Sequence, residues 1–466
     1  MDLADDGTIE PGLAAMGRWR QDQRRLRENE GCRRKTRTGG ETMTVKLLTF
    51  LGVGKNGHYD PYCYHFGEDV SEETPYIQRA LMELLHKTAH PPEEMYVFLT
   101  PEAERQSWLG PGKLKEQLIT LREKVYFSWI PVPILGATKT KEIWEDFKTV
   151  FDVLHPEDEV IFDITHSFRH QPMMALLILH FARITKNIMV RGIYYGNIYE
   201  VPAQVVDLTS FADLQDWIIN VYAFTEMGRA EPFNEWVRNK KSMAARTKGQ
   251  GQAIEPIQKM ARSWVELTTA LQACRGPLVR DKAVLARRIL ENFKDQAEAL
   301  PDFQPINILL DRVNRELQPM EDDDVIQAGF AAIDWCKRHG LVQQTFTLLN
   351  ELVITAVCER EGYDKQRVND REDVARHLHY ASKLKDKRPV DSSSESYNME
   401  LVNRLLQYPE MVKWFHDIAN YRNDFNHAGW RSDPKEAKTI MNFLDNHYEE
   451  VCDAIRDYWQ HSSVQA

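Results

Sequence analysis

Short apolar runs and longer amphipathic stretches alternate through the first 210 residues of the chain. Val45–Leu51 reads as a strand that ends in Gly52-Val53-Gly54, and in the segment that follows Ile77, Ala80, Leu81, Leu84 and Leu85 fall at helical spacing over 75–87. Residues 95–99 read as a second strand, 113–123 as a helix and 125–130 as a third strand. A loop with Pro131, Pro133 and Gly136 comes next, then a helix over 139–154, a fourth strand over 160–164 and a fifth over 189–195. Strands that alternate with helices of ten or more residues imply right-handed crossovers, and so a mainly parallel sheet with helices on both faces. The fold class expected here is α/β and Rossmann-like, ending near 208–213. Beyond Leu214 the strand signal stops and the chain reads as all-α. It is punctuated by Gly249-Gln250-Gly251, Gly276-Pro277, the Pro-containing stretches 301–305 and 319–324, and the polar loop 385–396. A helical insert over about 245–335 is expected ahead of a final bundle that begins near Leu341.

Composition narrows what such a chain can do. Its 466 residues suffice for two or three domains with separate cores. A net charge of -11 excludes a diffuse basic field for nucleic acid, so any such contact has to be local. The six cysteines are scattered without a C-x-x-C pair, which argues against a zinc ribbon or a disulfide framework and for reduced thiols in a cytoplasm. The longest apolar stretch, 172–184, is interrupted by His180 and Arg183 and is too short to span a bilayer, and no secretory signal opens the chain; a soluble, cytoplasmic protein without membrane partners is expected. Between Arg18 and Arg37 nine Arg or Lys stand against three acids. That segment reads as a basic arm or, because the first strand starts just after Met43, as a disordered extension, and the latter is the expectation. The resulting scheme is an extension over 1–42, an α/β domain over 43–213, a helical linker or insert over 214–340 and a final helical domain over 341–466.

Two stretches carry chemistry. Asp163-Ile164-Thr165-His166-Ser167-Phe168-Arg169 joins the fourth strand to a helix. Open α/β sheets bind ligands at such carboxyl ends. Within seven residues it offers a carboxylate, two hydroxyls, an imidazole and a guanidinium, donors for phosphate oxygens and partners for base edges. The plainer alternative is a helix N-cap on Ser167 or Thr165, which leaves His166 and Arg169 unexplained. Gly52 and Gly54 would let backbone approach a phosphate or ribose, although the third glycine of a dinucleotide fingerprint has no counterpart at the right spacing. His58, Tyr59, Tyr62, Tyr64 and His65 could stack on bases or pack a core. Tyr194-Tyr195-Gly196-Asn197 ends the fifth strand and would complete the pocket wall. In the helical half, Arg422 and His427 lie about 140° apart on an ideal helix, whereas Asn423 and His427 share a face. Gly429 should stop this helix, placing His427 where the helix dipole favours an imidazolium. A histidine that moves a proton and an arginine that holds a charged phosphorane can cleave RNA through its own 2′-hydroxyl without a metal. The plain reading is a helix end with a cationic dipole partner.

Taken together and in this order, the stretches resemble the CRISPR-associated proteins that join a CARF sensor domain to a C-terminal HEPN ribonuclease domain. Asp163, Thr165 and His166 match the Asp-x-Thr-His-Gly signature, with Ser167 in place of its glycine. Leu51 to Gly54 and Glu73 to Tyr76 are also similar to the sensor domain, and Arg422, Asn423 and His427 fit the HEPN pattern. The resemblance covers about residues 43–466 and is weakest over 245–335. It implies an α/β CARF domain plus an all-α HEPN domain, assembled as a homodimer or higher homo-oligomer. It implies a type III CRISPR accessory endoribonuclease, activated by a cyclic oligoadenylate, with cyclic tetra-adenylate the leading candidate, and cleaving single-stranded RNA. The activator would contact Gly52, Gly54, Thr165, His166, Ser167, Phe168, Arg169, Gly196 and Asn197 across a two-fold axis. Arg422, Asn423 and His427 would be catalytic at a composite site, with no metal and no cofactor. The alternative is a cyclic-oligoadenylate-binding regulator, or a sensor that degrades its own ligand, without ribonuclease output.

Overall fold

The first strand, β1 (Val45–Leu51), is buried along its whole length, as a central strand covered on both faces must be. The computed structural model describes residues 44–54, 57–136, 139–246, 254–297, 304–389 and 397–460. The basic segment 1–42, the 249–251 punctuation and most of the polar loop 385–396 lie outside them. The chain divides between Asp213 and Leu214 into two compact units.

In the first unit the strands after β1 are β2 (His65–Phe66), β3 (Asp69–Val70), β4 (Glu94–Leu99), β5 (Ser128–Pro133), β6 (Glu159–Asp163), β7 (Met189–Asn197) and β8 (Gln204–Asp207). Helices α1 (Ile77–Leu85), α2 (Leu114–Arg122), α3 (Thr140–Asp152) and α4 (Gln171–Lys186) connect them. The sheet order is β3-β2-β8-β7-β6-β1-β4-β5. β7, β6, β1, β4 and β5 are mutually parallel, while β7 with β8 and β2 with β3 run antiparallel. Chain order reverses at β1, whose neighbours are β4 and β6, so the topological switch point lies at the carboxyl ends of β1 and β6. Gly52 and Thr165 both follow directly from those ends.

Two expectations need correction. Pro131 and Pro133 lie in β5 rather than in a loop. β5 is the edge strand, and Ser128 N and Ile134 N donate to Glu93 O and Leu99 O of the β4 side, so residues of the opposite parity, both prolines among them, turn their nitrogens to the open edge. The short strands β2, β3 and β8 were also not anticipated, being too brief to show a period of two. Lys46 sits inside the apolar run of β1, 2% exposed. Its Nζ lies 2.6 Å from Asp158 Oδ2 and donates to Val153 O at 2.9 Å, which satisfies the charge where burial alone would be costly.

The second unit is built from helices. α5 (Thr209–Met227) contains the division between the units and is followed by α6 (Glu231–Arg246), α7 (Glu255–Gln272), α8 (Gly276–Ala297), α9 (Gln304–Leu317) and α10 (Val325–Arg338). Then come α11 (Val342–Glu361), α12 (Val368–Lys385), α13 (Met399–Leu405), α14 (Pro409–Asn426) and α15 (Ala437–Gln460). One apolar cluster runs through them, from Trp217, Phe233 and Trp264 through Trp335 and Phe346 to Tyr458. α10 packs on α11, so this core is continuous across residue 340. Among the described residues, no helix is long and apolar enough to cross a membrane.

Candidate functional site

At the switch point the first unit gathers a polar loop whose groups are largely committed to one another. Asp163, the last residue of β6, is fully buried. One carboxylate oxygen accepts from Thr49 Oγ1 of β1 at 2.6 Å, and the other accepts from Thr165 N at 3.0 Å and Thr165 Oγ1 at 2.5 Å. Burial pushes its carboxyl up, and the hydrogen bonds from Thr165 and Thr49 oppose that. The Thr165 hydroxyl in turn accepts from Gly196 N of β7 at 2.8 Å. A single carboxylate and a single hydroxyl therefore stitch together the ends of β1, β6 and β7.

His166 lies on this frame. Its ring stacks on Tyr59, with centroids 4.2 Å apart and planes 18° from parallel. Its Nδ1 is 3.2 Å from Gln78 Nε2, and that same nitrogen donates to Phe50 O at 2.8 Å. An amide nitrogen can only donate, so Nδ1 accepts and the proton of the neutral ring is on Nε2. Burial lowers the imidazole pKa to about 4, and the neutral form is the one present near pH 7. Of the aromatic cluster seen in the sequence, Tyr59 packs against His166 and Tyr76, and Tyr64 is buried in the core beside Tyr62.

The helix-capping alternative does not hold. α4 begins at Gln171 with Pro172 in its first turn, and its N-cap is His170 without a side-chain hydrogen bond. Ser167 Oγ instead donates to Ile164 O at 2.7 Å, and Phe168 N donates to Gln171 Oε1 at 2.8 Å. Phe168 and Arg169 are exposed. Phe168 stacks on His170 at 6.1 Å, whereas the Arg169 guanidinium has no hydrogen-bond or ion-pair partner among the described residues. Three buried polar atoms of the surrounding residues also lack partners: Gln78 Oε1, His170 Nε2 and Gln171 Nε2. Gly54 has an internal reason to be glycine, since a Cβ there would lie 2.1 Å from His58 O where the loop folds back. Gly52 is crowded by the Tyr59 hydroxyl and His166 O, Gly196 by Ile77 and Tyr64, and Asn197 Oδ1 accepts from Tyr199 N at 3.1 Å.

The candidate residues of the second unit are arranged differently. α14 ends at Asn426, and His427 is its C-cap. Asn423 and His427 are exposed, and His427 N donates to Asn423 O at 3.2 Å. Neither side chain has a partner among the described residues. Arg422 points to another side of the helix and pairs with Glu351 Oε1 of α11 at 3.2 Å. Glu351 Oε2 is held by Arg371 Nη2 of α12 at 2.7 Å. Within one chain, then, Arg422 is in an ion-pair network while Asn423 and His427 face outward together. Asp424, next in sequence, is buried and accepts from Lys435 N at 3.1 Å, fastening the chain after the helix.

Thr49, Gln78 and Glu351 had no place in the sequence reading. The threonine was visible as the one small polar residue in Val45–Leu51. Gln78 and Glu351 carry no local signal, because their partners are 88 and 71 positions away. Among the described residues no group of three His, Cys, Asp or Glu is placed to hold a metal.

No model of a known protein family matches the chain. It is 24% identical to the CRISPR-associated protein MJ1674 of Methanocaldococcus jannaschii, in an alignment of 454 positions that spans 87% of this chain and 66% of that protein. In this chain an α/β unit is followed by a helical unit. The chain spans 66% of the length of the curated relative it matches. Among solved structures it is similar to Enterococcus italicus Csm6 bound to cyclic hexa-2′-fluoro-hexa-dAMP, with a TM-score of 0.42, 11% identity, and coverage of 91% of this chain and 94% of that one.

Proposed function

We propose that this chain is a CRISPR-associated, type III accessory ribonuclease. In this reading a cyclic oligoadenylate bound by the α/β unit switches on cleavage of single-stranded RNA by the helical unit. The observation that carries it is one of contrast. Arg169 at the switch point and His427 at the helix end are the groups with the required chemistry, and both are exposed without partners among the described residues, while the groups around Arg169 are tied down.

Arg169 would bind a phosphate of the ring, with Phe168 and Asn197 beside it. Neutral His166 would be a neighbouring hydrogen-bond donor through Nε2. A two-fold site requires two copies of the loop, and α4, which starts just after Arg169, exposes Met173, Leu177, Phe181 and Ile184 along one face. Such an apolar row suits an isologous contact that brings two Arg169 loops to one axis. In the helical unit, the 140° between Arg422 and His427 keeps them from converging within one helix. A second copy would supply the missing arginine, once Arg422 exchanges Glu351 for the phosphate. His427 would then protonate the leaving 5′-oxygen or take the 2′-hydroxyl proton, and Asn423 would orient it. No step of this cleavage calls for a metal, because the nucleophile belongs to the substrate.

The Arg422–Glu351 pair also favours a second reading, in which the sensor binds its ligand but the helical unit recruits a partner and does not cut. RNA turnover in EDTA, with cyclic tetra- or hexa-adenylate, separates the two. Cleavage by the wild type that is lost in His427→Ala supports the ribonuclease, and tight ligand binding with no turnover supports the regulator.

A further inference from the structure

Three residues beyond His427 stands Trp430, 89% exposed. The turn that carries it is well fastened. Ala428 N donates to Phe425 O at 2.9 Å, Gly429 N to Asp424 O at 3.1 Å and Trp430 N to His427 O at 2.8 Å. Ala428 and Gly429 both adopt left-handed backbone, at φ 49° and 74°. For alanine that conformation costs about 1 kcal/mol or more, so the surrounding hydrogen bonds hold the turn in place. The backbone that carries the indole is thus fixed three residues beyond His427, while the indole itself is open to solvent.

Behind His427 the helix carries a polar row. His416, Asn420, Asn423 and His427 fall within an arc of about 60° and span about 16 Å along the axis of α14. The row contains no carboxylate. At its far end His416 Nε2 accepts from Arg388 Nη1 at 2.9 Å and lies 3.1 Å from Asn420 Nδ2. Arg388 is half exposed, its other terminal nitrogen being 2.7 Å from Asp386 Oδ2. An aromatic face at one end and amides, imidazoles and a guanidinium along the rest are the two ingredients by which proteins hold single strands: base stacking and backbone contacts.

We propose that Trp430 is a stacking platform for a base that flanks the scissile phosphate of a single-stranded RNA, and that the strand continues along the row toward His416 and Arg388. This rests on the ribonuclease reading above and adds a substrate-positioning residue to it. Trp430 touches substrate without taking part in proton transfer, so its loss acts on binding.

The test is steady-state cleavage of a short RNA by the full-length wild type, Trp430→Phe and Trp430→Ala, activated by whichever of cyclic tetra- or hexa-adenylate raises turnover. The same RNA is also prepared with an abasic site at each position around the cleavage point in turn. Trp430→Ala should raise KM roughly tenfold with kcat little changed, and Trp430→Phe should restore most of it. One abasic position should cost the wild type a similar factor and cost Trp430→Ala nothing further. Equal sensitivity of both proteins to every abasic position, or a loss in kcat alone, overturns the proposal. So does a smaller assembly of Trp430→Ala by light scattering, which would assign the indole to a protein interface. His427→Ala is run alongside: cleavage at the wild-type rate in that variant overturns the ribonuclease reading itself, whereas an inactive His427→Ala with an unaffected Trp430→Ala overturns the stacking role alone.

Discussion

The loop after β6 and the end of α14 carry similar residue types, yet they spend them differently. In the loop, Asp163 and Thr165 are used up in joining three strands, Ser167 is bonded to its own backbone, and His166 is held neutral between Tyr59 and Gln78. Only Arg169 and Phe168 are left exposed. At the helix end the backbone, Arg422 and Asp424 are fastened, whereas Asn423, His427 and Trp430 all face solvent. A preorganised loop of this kind has little ordering to do when it binds, which suits a receptor. On the ribonuclease reading, an open row of side chains such as this is half of a site and needs another surface to complete it.

That contrast is broken most forcefully at His427. On the ribonuclease reading, His427→Ala lowers RNA cleavage by about 10²- to 10⁴-fold, measured as single-turnover rate, while calorimetry finds ligand binding unchanged. Asp163→Ala should strike the other region through stability. It leaves Thr49 Oγ1 and the Thr165 hydroxyl and amide without their acceptor, at about 1–3 kcal/mol for each group that stays buried and unpaired, and chemical denaturation should show the α/β unit unfolding early. Arg169→Ala should leave the fold intact, because the side chain is exposed. It should weaken cyclic oligoadenylate binding by about tenfold or more, the worth of one charged hydrogen bond.

The fold was largely legible in the sequence, because long parallel strands are apolar throughout and their helices are amphipathic. β5 was displaced by its two prolines, which only the edge position of that strand makes tolerable. The polar loop was legible as a place. What each group does there was not, since Thr49, Gln78 and Gly196 come from elements 114, 88 and 31 residues away from their partners in it. The sequence also showed that Arg422 and His427 diverge on one helix, but nothing in it placed Glu351 against the arginine.

The smallest expected effect concerns pH. His166 titrates near 4 in the folded chain and near its ordinary 6.5 when unfolded. Between those values the unfolded state binds the extra proton, so the stabilising contribution is full above pH 6.5 and is lost as the pH falls toward 4. The upper limit is about 3 kcal/mol. Denaturation at pH 7 and 4.5 should show a shallower pH slope in His166→Gln than in the wild type; an identical slope would mean that the ring does not stay neutral in the folded state.

Control of chemistry at His427 by a ligand held at Arg169 is what would join the two regions. It is tested most directly by titrating cyclic tetra- and hexa-adenylate into RNA cleavage reactions of the wild type, Arg169→Ala and His427→Ala in EDTA. One ring should activate the wild type, Arg169→Ala should need at least tenfold more of it, and His427→Ala should stay inactive at every concentration. Cleavage by the wild type that neither ring alters, or activation of Arg169→Ala at the wild-type concentration, would contradict it.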